Sequence, residues 1–135
     1  MGKIAVLDYV GTADRPIFES VATGWIEAIA GTMVVPKTGQ YSFRWAFDIQ
    51  VTRTYLFGLL TRRVWDFEFR IEVGGGYVYS YRPGDGSWLE RAGYADVLLN
   101  EGSVDVFVLI HAAPDSKVRI PCALFELLGD VETDE

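Results

Sequence analysis

The sequence predicts an all-β fold, an antiparallel two-sheet jelly-roll sandwich. Tyr41, Phe43, Trp45, Phe47, Ile49 and Val51 alternate with Ser42, Arg44, Ala46, Asp48 and Gln50, a period of two where a helix would repeat every 3.6 residues. Eight or nine extended segments of this kind are parted by Gly, Pro and Asn/Asp turns at fairly even spacing, the pattern of a sandwich or jelly roll. Half of the residues are hydrophobic and 14% are aromatic, with Val and Ile recurring, a palette that suits a pleated, half-buried surface.

Taken in order, short strands are expected at residues 4–10, 24–29 and 32–35, divided by Gly11, Gly31 and the turn at 36–39. Residues 21–28 can be drawn as a short helix, but Gly24 and the β-branched neighbours favour extended structure. The alternation over 41–51 reads as one long strand. A second follows at 65–73, where Trp65, Phe67, Phe69, Ile71 and Val73 face the core and Asp66, Glu68, Arg70 and Glu72 face water. Gly74-Gly75-Gly76 turns the chain into 77–82, which Pro83-Gly84-Asp85-Gly86 ends. Residues 94–99 pair through the 100–103 turn with 104–110, a strand apolar enough on both faces to be buried twice over. After the turn at 113–116 a last strand covers about 118–128, closed by Gly129 and a solvated acidic tail at 130–135.

A chain of 135 residues has the length of one domain, 1–135, and can bury a core. Cys122 is the only cysteine, so neither an intrachain disulfide nor a cysteine-based zinc site holds the fold together. The net charge of −7 argues against nucleic acid, which is bound through clustered Lys and Arg. The apolar start of the chain is interrupted by Asp8 and is too short for a signal peptide, so the chain is expected to be cytoplasmic when made. The apolar stretch 55–60 falls far short of the roughly 20 residues of a membrane span.

Three segments resemble, in order, the trimeric jelly roll of tumour necrosis factor-like ligands and of the globular heads of complement and collagen-type proteins. Residues 32–43 match the short strand, Pro36, Gly39, Tyr41 and Phe43 of the first motif. Residues 95–106 are similar to the paired strands about an acidic-Gly turn, with Gly102-Ser103 where Gly-Asp is usual, and residues 122–129 resemble the closing strand. The likeness spans 32–129 and implies a homotrimer with an aromatic-rich sheet facing the threefold axis. Animal members usually carry a signal peptide or collagen stalk. A freestanding copy points to a virion setting, as a phage capsid decoration, fibre head or spike that contacts other virion or capsid proteins.

His111 and Cys122 are each single, so nucleophilic catalysis would hang on one unsupported contact; the plainer reading is a small buried Cys122 and a His111 near a strand end. Asp48, Asp66, Glu68, Glu72, Asp96 and Asp105 interleave with Arg44, Arg70 and Arg82, a pattern of cross-strand charge pairs on a wet face, without calcium-ligand spacing. Gly74-Gly75-Gly76 lacks the Lys-Ser/Thr of a phosphate cradle. No catalytic residue, metal ligand or cofactor is therefore assigned, and the chain is expected not to be an enzyme.

Tyr77, Tyr79 and Tyr81 fall on one side of their strand with Trp88 close behind. Together with Phe107, Leu109 and Phe125 they are the candidates for a trimer interface, or alternatively for a platform that stacks on a glycan or receptor. Tyr55, Leu56, Phe57, Leu59 and Leu60, flanked by Arg53, Arg62 and Arg63, form either an ordinary core strand or a protruding loop that docks on a partner.

Overall fold

The computed structural model describes residues 2–84 and 88–130. The tail at 131–135 and the end of the turn begun by Pro83-Gly84 lie outside the described residues. Twelve strands and no helix occur among the described residues: β1 Gly2–Tyr9, β2 Phe18–Val21, β3 Gly24–Val35, β4 Gly39–Phe47, β5 Gln50–Tyr55, β6 Leu60–Arg63, β7 Glu68–Val73, β8 Gly76–Tyr81, β9 Ala92–Leu99, β10 Gly102–Ala112, β11 Lys117–Ile120 and β12 Ala123–Gly129.

Two four-stranded sheets, β1-β12-β4-β9 and β3-β10-β7-β8, carry the sandwich, and every pairing is antiparallel. With the eight strands numbered in chain order the sheets read 1-8-3-6 and 2-7-4-5, the order of a jelly roll. The expected fold class is therefore present, and the segment 21–28 is extended as expected.

A third sheet, β2-β11-β5-β6, was not foreseen. It arises because two strands read as single are each broken in two. The alternation 41–51 leaves the first sheet after Phe47 and resumes at Gln50 in the third, yet Phe47, Ile49 and Val51 all stay buried. The last strand likewise divides at Pro121-Cys122, since proline lacks the amide a ladder needs. Conversely, the two segments either side of Gly31 form one strand, β3. A Cβ at Gly31 would lie 2.5 Å from the Tyr9 hydroxyl and 2.8 Å from Leu7 Cδ1, so glycine lets β1 approach β3 without breaking it.

Turn chemistry sets the ends. Gly74 and Gly75 link β7 to β8 with φ of 61° and 87°, the doubly positive pair of a type I′ hairpin. Pro114 and Asp115 (φ 67°) turn the chain between β10 and β11, closed by the Ser116 amide donating to the Ala113 carbonyl at 3.1 Å. Ser116 is fully buried, and its hydroxyl accepts from Arg53 Nε at 2.9 Å, which ties the base of the β5–β6 hairpin to that turn.

The core is aromatic. Phe43 stacks on Phe125 (5.8 Å) across neighbouring strands of one sheet, while Phe47 on Phe69 (4.5 Å) and Trp45 on Tyr79 (5.0 Å) join the facing sheets by ring contacts that add to their area burial. β10 buries Val104, Val106, Val108 and Ile110 on one face only. Phe107 and Leu109 are half-buried on the other, so the strand is not enclosed on both sides.

Candidate functional site

The outer face of β3-β10-β7-β8 is shaped by two β-bulges. Between β7 and β8 the register passes from Ile71↔Tyr79 to Glu72↔Tyr77, leaving Val78 unpaired. Between β10 and β3 it passes from Val108↔Ile29 to Leu109↔Glu27, leaving Ala28 unpaired. An extra residue reverses the facing of whatever follows it.

The expected row of three tyrosines is therefore absent. Tyr81 is 7% exposed and donates from its hydroxyl to the Trp65 carbonyl at 3.0 Å. Tyr79 is half-buried against Trp45 and accepts from the Glu90 amide at 2.8 Å, whereas Tyr77 turns outward and is 59% exposed. Phe125 lies wholly in the core. Trp88 is exposed, but no ring contact joins it to Tyr77 among the described residues.

A different aromatic group stands in its place. The Arg70 guanidinium lies over Trp25 at 4.5 Å and over Tyr77 at 5.0 Å, and Trp25 contacts His111 at 5.2 Å. Glu68 pairs with Arg82 at 3.3 Å and reaches Arg70 at 4.0 Å, the cross-strand pairing expected of this face. Phe107 and Leu109 fill the strand between. Trp25 and His111 had no place in the sequence reading of the platform, because only the bulge at Ala28 sets Trp25 opposite His111.

The outer face of β1-β12-β4-β9 is chemically unlike this. Val6, Tyr94 and Leu98 are exposed around small or half-buried Ala46, Ala92 and Leu124. Two shallow hollows, of about 410 and 360 Å³, share Ala46 and Leu124 as floor. Cys122 lines the larger hollow and is exposed, not buried as expected, because it follows Pro121 in the corner between β11 and β12. It therefore opens on this face, while His111 faces outward from the other sheet.

The segment 53–63 resolves as the β5–β6 hairpin, a protrusion and not a core strand. Leu56, Phe57 and Leu59 are exposed, Tyr55 is 41% exposed and Leu60 is half-buried. Leu56, Phe57 and Gly58 have φ of 54°, 55° and 90°. Below the tip, Arg53 pairs with Asp66 at 2.6 Å, and Arg63 lies over Trp65 at 4.6 Å. The hydrogen bond to the Asp66 carboxylate raises the pKa of Arg53 further. Beside the hairpin, the hydrogen bond from Lys117 holds the exposed Glu19 carboxyl below its usual range, with Arg119 contributing.

Among the described residues no group of three His, Cys, Asp or Glu side chains is placed to hold a metal ion, and no helix is long and apolar enough to cross a membrane. No family model matches the chain, and no curated protein does. Among solved structures, the chain is similar to the C-terminal domain of EclA, a sugar-binding protein, with a TM-score of 0.44 at 8% identity over 93% of this chain and 79% of that one. It is also similar to a family 35 carbohydrate-binding module from Clostridium thermocellum, with a TM-score of 0.34 at 14% identity over 90% and 97%. No site residue carries over at these identities.

Proposed function

We propose that this chain is a non-enzymatic interaction module that assembles as a homotrimer, with the outer face of β1-β12-β4-β9 turned to its neighbours and the β5–β6 hairpin reaching a further protein. A virion component, such as a capsid decoration or spike, is the setting in which the reading is most specific. The observation that carries it is the difference between the two outer faces. The β3-β10-β7-β8 face pairs Glu68 with Arg82 and lays Arg70 over the rings of Trp25 and Tyr77. The other face leaves Val6 and Tyr94 to water around a hollowed floor of Ala46, Ala92 and Leu124, with the Lys3–Glu126 pair at 2.8 Å beside it, an apolar patch with polar groups at its edge as in a contact surface. The jelly-roll strand order supports the resemblance from which the trimer was expected.

Light scattering after size exclusion, at micromolar and tenfold lower concentration, tests this reading. The expected mass is three times the 15.1 kDa chain, falling to one chain for Tyr94→Glu combined with Val6→Glu. A single-chain mass for the unmutated protein at both concentrations would overturn it.

A second reading has its own observation. Arg70 holds the rings of Trp25 and Tyr77 in fixed positions on an exposed sheet face, which suits stacking on a sugar. On a glycan panel, Trp25→Ala and Tyr77→Ala should abolish any binding seen for the unmutated chain. Binding that survives both removes this reading.

A further inference from the structure

The hairpin tip combines exposed apolar side chains with unbalanced positive charge. Residues 53–63 hold three arginines and no carboxylate in a chain of net charge −7. Phe57, at the summit, is fully exposed and yet sits at φ 55° next to Leu56 at 54°. Left-handed backbone at a bulky residue costs about 1–2 kcal/mol, and here no packing of Phe57 within the chain offsets it. Held this way, the tip presents two apolar side chains outward with Arg62, which makes no ion pair among the described residues.

The opposite end of the sandwich carries the complement. A hollow of about 380 Å³ opens between the β7–β8 and β9–β10 turns. Glu72, Glu101 and Asp105 line it with the apolar Leu98 and Phe107, and no Lys or Arg does. Neither Glu72 nor Glu101 makes an ion pair among the described residues. β4 fixes the separation, because it starts beside Leu99 at the hollow and ends beside Arg91, where the chain departs towards the hairpin. Its nine residues alone span roughly 30 Å at about 3.3 Å each. The tip cannot fold back into the hollow of its own chain.

We propose that the β5–β6 tip seats in the hollow of a second copy, Phe57 and Leu56 against Leu98 and Phe107, and Arg62 against Glu72 and Glu101, so that copies join end to end. Such a contact is heterologous. It pairs two different patches at opposite poles, so it extends into a stack where a lateral trimer closes. The inference rests on the docking hairpin of the reading above, names its partner, and does not need the trimer.

Sedimentation velocity at low salt and at 0.5 M salt tests it on the full chain. High salt reports the base unit, one chain or three, and so judges the trimer separately. Low salt should add multiples of that unit. Phe57→Asp should weaken this growth roughly thirtyfold or more, as loss of an anchoring aromatic does. Glu101→Arg and Arg62→Glu should each weaken it singly and restore it when combined. Against a Cys122→Ser background, Leu59→Cys chains mixed with Asn100→Cys chains should form disulfide-linked pairs, and mixed with Val21→Cys chains should not. Failure to exceed the base unit at low salt, growth indifferent to the charge reversals, or equal cross-linking to both positions would each overturn the end-to-end contact and leave the trimer standing or falling on its own mass.

Discussion

Tyr77 and Tyr79, two residues apart on one strand, leave opposite faces of the sheet because Val78 between them is unpaired. Tyr79 stacks on Trp45 at 5.0 Å and its hydroxyl receives the Glu90 amide, so it joins β8 to the segment leading into β9. Tyr77 meets Arg70 on the wet face. Tyr79→Ala should therefore cost about 3 kcal/mol in urea unfolding, near the range for truncating a packed aromatic. Tyr77→Ala should cost less than about 1 kcal/mol, the scale of one cation–π contact. Equal losses would mean that the bulge does not divide the two side chains.

Gly93 predicts a sharper effect. A Cβ there would stand 2.6 Å from Trp45 Cζ2 and 2.9 Å from Cε2. The indole cannot give way easily, because its Nε1 donates to the Glu90 carbonyl at 3.0 Å and its face is stacked on Tyr79. Gly93→Ala should destabilise by about 1–3 kcal/mol, the range for overpacking a core. Thermal melting checks it, and an unchanged midpoint would show that the ring moves freely.

Most inward side chains were legible in the sequence, although Trp65, expected to face the core, precedes β7 and is 45% exposed; the corners were not legible. Every aromatic of the 41–51 alternation that was expected inside is inside. That same regularity hid the passage from β4 to β5, because burial keeps its period of two while the hydrogen-bonding partner changes sheet. β2 and β6 escaped notice because Phe18-Glu19-Ser20-Val21 and Leu60-Thr61-Arg62-Arg63 are too short to display a period. The platform was misplaced for one reason: tyrosine at every second position looks identical with or without a one-residue bulge. Trp25 and His111 stand 86 positions apart in sequence, and only the register of β3 with β10 joins them.

Glu19 provides a pH dependence of definite sign. Its folded-state pKa is lowered from 4.5 by the Lys117 hydrogen bond, so the folded chain binds fewer protons there than the unfolded chain. The contribution to stability is fully present above about pH 4.5 and is lost as pH falls through the lower folded value. Solvent screening keeps it small. Melting curves should place Glu19→Gln below the unmutated chain at neutral pH, with the gap closing in acid. A gap that widens as pH falls would contradict the assignment.

Phe57→Asn separates what the fold needs from what the tip does. Phe57 and Gly58, with φ of 55° and 90°, occupy the two central positions of a type I′ turn closed by the Leu59 amide on the Leu56 carbonyl at 3.2 Å. Asn before Gly is the preferred pair for that geometry, and Phe is a poor occupant of a left-handed position. No internal packing is lost, since Phe57 is fully exposed. The substitution should therefore stabilise the chain by about 1 kcal/mol in urea unfolding, while weakening growth beyond the base unit at low salt. A gain in stability bought by loss of contact is what a residue kept for a partner produces. If stability instead falls, Phe57 packs within the chain, and the strain at the hairpin tip has a structural cause.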